Sequence, residues 1–239
     1  MMKREPLMDE IYFAHRIQRL DENVEDQNRK LREQPEIYVK PAIFLYTNFR
    51  SRYQQVFLGY CLGEHISVLA SRFAAAVDSY EVYVSRVKNG RPDLSDLDNY
   101  VVSLWLISFA LIFHVDESLW QRLLACIDNE GRDALFEALV ANRTPSRQKT
   151  SALLHPKIFQ PLYDSIATVD EQRSALVQKY LKTWYKAFKD TYWIDTHKFP
   201  AGGGFFGYWA VEVAGVVKAF GMDDSAFREM PYYPRDLID

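Results

Sequence analysis

The sequence predicts an all-α fold, a two-part bundle of about eight to ten helices with no significant β-sheet. Three observations carry that expectation. Glycine and proline number only ten each in 239 residues, too few breaks for many short strands joined by tight turns. Apolar residues recur every three or four positions through most of the chain. Strand-type alternation persists nowhere.

From Pro6 to about Glu33, Ile11, Ile17, Leu20, Val24 and Leu31 recur at helical intervals among many charges, which predicts one long, polar helix with a narrow apolar stripe. Pro35 and Pro41 punctuate. A second helix is expected to start at Pro41, a favoured first-turn residue, and to end at Gly63. The third, from Glu64 to about Lys88, has the clearest amphipathic pattern: Ile66, Leu69, Phe73, Ala76, Val77, Tyr80, Val84 and Val87, with Asn89-Gly90 as its stop. Tyr100 to Phe113 is apolar around almost its whole circumference and predicts a helix enclosed by others.

Asp116 or Ser118 is placed to cap a helix running through Ile127, and Gly131 begins another reaching about Asn142. RTPSRQKTS then reads as an exposed basic loop. Helices follow from Pro156 to Ile166 and from Asp170 to Phe188, the latter with Leu176, Tyr180, Leu181, Trp184 and Phe188 inward. PAGGG turns the chain into a last apolar helix, Phe205 to Phe220, closed by Gly221. The expected division is a first helical domain over 1–114 and a second over 115–239, closely packed on the first.

Composition narrows the class. The chain is 48% hydrophobic and 26% charged, ordinary for a globular protein. The opening MMKREPLMDE leads into a charged run without the apolar core of a signal peptide, and the apolar run from Tyr100 to Phe113 is shorter than the roughly 18 residues a bilayer span needs. Cys61 and Cys126 are too few to staple a secreted scaffold. A cytoplasmic protein is expected.

Charge is unevenly spread. Residues 78–139 hold five basic against eleven acidic side chains, whereas residues 140–198 hold ten basic against five acidic. The bland interpretation is solvated helix faces that offset one another. The sharper one is an acidic surface that steers a basic partner.

Catalytic signatures fail one by one. The five histidines form neither HExxH nor HxH, no GxSxG elbow is present, and AGGGFFG lacks both the GK[ST] of a P-loop and a preceding strand. Cys61 and His65 stand four apart and, on one helix, would share a face as two metal ligands, but a third is missing. Asp223-Asp224 follows Gly221 and reads as a cap rather than a metal pair. Glu212, inside an apolar helix, is the most suggestive single residue, because a buried carboxylate is costly unless paired. An ion pair with Lys198 or His197 is its structural explanation, and a general acid or base its functional one.

The C-terminal third carries a distinctive series: WIDTHK from Trp193, GYWAVE from Gly207 to Glu212, GMDDS from Gly221, and YYPRDL from Tyr232. In order and spacing it resembles the C-terminal domain of the PoNe immunity (PoNi) family. The run VFLGYCLGEHISVLASRFAAAV from Val56, where a Tyr-x-x-Gly-Glu turn leads into a long helix, is similar to that family's N-terminal domain. The matched residues Trp193, His197, Lys198, Gly207, Tyr208, Trp209, Glu212, Asp224, Tyr232, Tyr233, Pro234 and Asp236 read as architecture, with Trp209, Tyr232 and Tyr233 large enough to lock the last helix and tail on the core.

The resemblance implies a helical, cytoplasmic, non-enzymatic immunity protein. Such a protein binds and blocks a cognate DNase toxin of restriction-endonuclease-like fold, delivered between bacteria by a secretion system such as type VI. It implies no catalytic residue, metal, cofactor, small-molecule substrate or membrane partner. Because a nuclease's DNA groove is basic, Asp93, Asp96, Asp98, Asp116, Glu117, Asp128, Glu130 and Asp133 become candidate toxin-binding residues. Homodimerisation stays open. The alternatives are a nucleic-acid-associated helical protein using the basic 140–198 segment, which the pI near 6.0 disfavours, and an enzyme with a dispersed site around Glu212.

Overall fold

A computed structural model describes residues 3–33 and 41–238, and the regular secondary structure among them is helical throughout. α1 spans Glu10–Glu33, α2 Pro41–Leu62, α3 Ile66–Arg86, α4 Leu97–Ile112 and α5 Glu117–Ile127. α6 follows at Ala134–Ala141, then α7 at Pro156–Ala167, α8 at Asp170–Ala187 and α9 at Val211–Phe220. Single 3₁₀ turns lie at Thr196–Lys198, Pro200–Gly202 and Arg235–Leu237. The break expected at Pro35 lies outside the described residues. No helix among these is long and apolar enough to cross a membrane.

Two compact units interleave along the chain. The first takes Met1–Arg91, Val115–Cys126 and Thr196–Gly207; the second takes Pro92–His114, Ile127–Asp195 and Tyr208–Asp239.

In the first unit, α1 begins at Glu10 rather than near Pro6, because Asp9 caps it: the Tyr12 amide donates to Asp9 Oδ1 at 2.7 Å. The residues before it lie along the end of α2. Arg4 donates from its amide to the Cys61 carbonyl at 2.9 Å, and from its guanidinium to the carbonyls of Tyr60 and Glu64. The buried stripe of α1 is Phe13, Ile17, Leu20 and Val24. Ile11, expected on that stripe, is 78% exposed. At 100° per residue it points about 200° away from Phe13, which takes the inward position instead.

Gly63, at φ 91°, turns α2 into α3, and a bond of 2.9 Å from the Glu64 amide to the Gly59 carbonyl closes the turn. Glu64 then grips Arg72 through both carboxylate oxygens, each at 2.7 Å. Phe49 of α2 stacks on Tyr80 of α3 with centroids 4.1 Å apart. In α5, Trp120 and Leu123 are buried, while Arg122 reaches Asp78 and Glu81 of α3 at 2.6 and 2.7 Å.

In the second unit, Asp96 caps α4, and every residue from Tyr100 to Ile112 is buried, as the all-round apolar run predicted. α4 packs on α9 and α6, and α7 packs on α8. The inward face of α8 is Val177, Tyr180, Leu181, Trp184 and Phe188; Leu176 is only half-buried. α9 starts at Val211, later than the expected Phe205. Gly207 at φ 101° and a 2.8 Å bond from the Ala210 amide to the Tyr232 carbonyl hold the approach out of helical conformation. Gly221, in the left-handed region, ends α9 as the sequence indicated.

Candidate interaction surface

The potential metal pair dissolves on folding. His65 lies beyond the end of α2 and caps α3, its Nδ1 accepting from the Ser67 amide, while Cys61 is buried on α2 with its thiol 3.5 Å from the Phe206 carbonyl. Among the described residues no group of three potential ligands meets. Cys126 is likewise buried, which pushes its thiol up to about 11 and disfavours the reactive thiolate.

Glu212 is a structural node. In the first turn of α9 and 1% exposed, it accepts from Trp105 Nε1 of α4 at 3.1 Å, Tyr180 Oη of α8 at 2.7 Å and Trp184 Nε1 of α8 at 2.6 Å. These neutral donors of its own unit replace the ion pair expected with Lys198 or His197. Burial raises the Glu212 pKa, and the three donors pull it back. Around the carboxylate, Trp193 lies edge-on to Trp105 at 5.1 Å, and Tyr232 stacks on Trp184 at 5.1 Å and on Tyr185 at 5.5 Å. Trp193, Glu212 and Tyr232, far apart in sequence, thus belong to one cluster.

The tail has its own lock. Asp224 accepts from Arg228 at 2.7 Å and from the Tyr233 hydroxyl at 2.9 Å, and Tyr233 is buried. Asp236 lies 3.7 Å from Arg235, and Pro234 is buried ahead of the 3₁₀ turn. Tyr208 is buried against Tyr185. Trp209 and Tyr232 are each only partly covered, and Tyr233 is the one of the three that is buried. His197 and Lys198 fall in the first unit, where the His197 ring lies 5.9 Å from Phe205.

The eight candidate carboxylates divide between the two units. Asp116 and Glu117 belong to the first unit, Asp116 capping α5 through the Leu119 amide and Glu117 accepting from Gln121. The other six belong to the second. Asp133 is 0% exposed: Oδ1 accepts from the Tyr100 hydroxyl and the Phe136 amide, each at 2.9 Å, and Oδ2 from the Leu154 amide at 2.8 Å. It joins α4, α6 and the approach to α7 and presents nothing to a partner. Asp96 is spent on its cap. Asp98 is half-buried, and its pKa is raised by burial and by the neighbouring Asp96.

Asp93, Asp96, Asp128 and Glu130 are exposed. Asn129 Nδ2 donates to the Pro92 carbonyl at 3.0 Å and Arg132 stands 3.6 Å from Asp93, so the loops before α4 and before α6 adjoin. Glu130 accepts from the Gln148 amide at 2.8 Å.

The neighbouring basic loop is largely exposed, as its sequence indicates, but Arg147 is turned to the fold. Arg147 is only 10% exposed along its side chain and grips Glu137 through two bonds of 3.0 and 2.9 Å. Arg173, beyond it, donates to the carbonyls of Ser165 and Thr168. Arg147 and Arg173 therefore serve the fold, a role that composition alone does not show.

Comparison with known families bears on what such a scaffold is for. The model of the PoNe immunity protein N-terminal domain matches residues 4–125, and that of the PoNe immunity proteins C-terminal domain matches residues 131–237. The chain belongs to the PoNe immunity protein (PoNi) family.

No curated protein matches it. Among solved structures, protein PA2201 from Pseudomonas aeruginosa superposes with a TM-score of 0.76 at 17% identity, over 100% of this chain and 91% of that one. That likeness speaks for the fold. As a PoNi protein the chain has an immunity role, exercised by binding a cognate toxin rather than by catalysis. In those terms Glu212, Trp193 and Tyr232 build an interior on which a binding surface can vary.

Proposed function

We propose that this PoNi protein neutralises a DNase toxin of restriction-endonuclease-like fold, delivered between bacteria by a secretion system, and that it does so in the cytoplasm by direct association. The observation that carries the reading is the match of both PoNi domain models across 4–125 and 131–237. A stoichiometric inhibitor needs a surface that is stable without its partner, and the buried nodes at Glu212 and Asp133 supply that rigidity. The exposed carboxylates Asp93, Asp128 and Glu130 make up the acidic part of the contact, steering a basic DNA groove towards the second unit.

Co-expression tests this directly. A candidate DNase toxin is produced in cells with and without the chain, and chromosomal DNA integrity and complex formation are followed. Protection with a co-purifying complex is expected. Intact binding without protection, or protection without binding, would overturn neutralisation by association.

A further inference from the structure

The basic excess of residues 140–198 separates into two kinds on folding. Arg147 and Arg173 are consumed inside the second unit by Glu137 and by backbone carbonyls. Lys157, Lys179, Lys182, Lys186 and Lys189 are all exposed, and among the described residues no carboxylate pairs with them. Four of them follow one face of α8 and its end at spacings of three, four and three residues, so like charges neighbour one another. The unbound chain carries that repulsion, and an anionic partner relieves it.

The stripe borders a groove. Lys157 from α7 and Lys179 and Lys186 from α8 line a cleft of about 450 Å³ with the half-buried apolar side chains Ile158, Pro161 and Leu176. The carboxylate in the lining, Asp164, accepts from Gln160 at 2.7 Å and sits four residues from it on α7. Cationic rims over an apolar floor match a segment that is acidic on its flanks and apolar between them.

Nucleic acid fits less well. The cations are lysines, which lack the planar fork that pairs with phosphate, Trp184 is buried rather than offered for base stacking, and the chain's net charge is −3.

We infer that the lysine-rimmed groove between α7 and α8 is a docking site for an acidic polypeptide segment bearing apolar side chains. Assigning that segment to the toxin rests on the proposed function. The site then adds a second contact of opposite polarity to the acidic one, and partners lacking a matching segment are discriminated against.

Two probes test it. The first is a synthetic amphipathic Glu/Leu peptide, titrated against the full chain and against the variant Lys157→Glu/Lys179→Glu/Lys186→Glu, whose fold is checked by circular dichroism. Binding by the wild type and a loss of about tenfold or more in the variant are expected. Absent or unchanged peptide binding overturns the site. So does tighter retention of a DNA duplex near 150 mM salt that the same variant abolishes, because the groove then serves nucleic acid.

The second probe is a catalytically inactivated candidate DNase toxin, with lysine acetylation read by mass spectrometry. Protection of Lys157, Lys179 and Lys186 in the complex is expected. A toxin that binds with these lysines unprotected and the variant's affinity unchanged overturns the groove but not the proposed function. A toxin that does not bind, beside a peptide that does, overturns the proposed function alone.

Discussion

Ser108 of α4 and Gly215 of α9 meet so closely that a β-carbon on Gly215 would stand 2.3 Å from the serine Oγ and 2.9 Å from its Cα. The second figure matters more. An Oγ can rotate away, but the backbone of α4 is fixed along its buried length, so the two helices must separate. Gly215→Ala is expected to lose about 1–3 kcal/mol, the usual cost of overpacking, seen as a lower urea midpoint. Ser108→Ala alone is expected to be neutral or stabilising, because the buried Oγ has no hydrogen-bond partner. Restoring only part of the lost stability in the double variant would locate the strain in the backbone approach.

Asp133 and Asp93 were alike as acidic residues of one sequence region, and the fold gives them opposite fates. Removing Asp133 takes away the cap of α6 and strands the Tyr100 hydroxyl and the Leu154 amide. Asp133→Ala is therefore expected to cost about 2–4 kcal/mol, combining a lost cap with unsatisfied buried donors. Asp93→Ala, exposed beside Arg132, is expected to stay within about 0.5 kcal/mol. Equal losses for the two in chemical denaturation would contradict this assignment.

Most helices were legible because their signals are local. Pro41, Gly63, Asp116 and Gly221 start or stop helices through chemistry confined to a few residues. The errors came where a distant part of the chain decides. Residues 3–9 lie along the end of α2 through Arg4, and 205–210 stay non-helical with help from Tyr232, neither of which periodicity can reveal. The three donors around Glu212 come from positions 105, 180 and 184, which no local pattern connects to it. Asp133 was misjudged for a similar reason. Its burial depends on Tyr100 and Leu154, both distant in sequence.

If Asp93 and Asp128 steer the toxin, reversing them changes encounter rather than residence. Asp93→Lys/Asp128→Lys is expected to lower the association rate at low salt by about tenfold, with a much smaller effect on dissociation. The difference should shrink as ionic strength rises and the Debye length falls below about 8 Å. Stopped-flow association at two salt concentrations checks this. An unchanged rate and salt slope would remove the acidic loops from the contact.

Glu212 makes the stability of the second unit depend on pH in a defined direction. Its pKa is raised by burial above the ordinary 4.5, so the folded carboxyl holds its proton more tightly than the unfolded one. The resulting contribution to stability is full below about 4.5 and is lost as pH rises through the folded value. Glu212→Gln cannot ionise and is the natural reference. Its amide also places a donor against one of the three donors that Glu212 serves, so the variant is expected to be less stable by about 1–3 kcal/mol at acidic pH. As pH increases towards neutral, the wild type should lose stability that the variant keeps, and the gap should narrow. Urea titrations of both proteins across that range provide the measurement. A gap that widens with pH would mean that the indoles of Trp105 and Trp184 and the phenol of Tyr180 outweigh burial and hold Glu212 as a carboxylate.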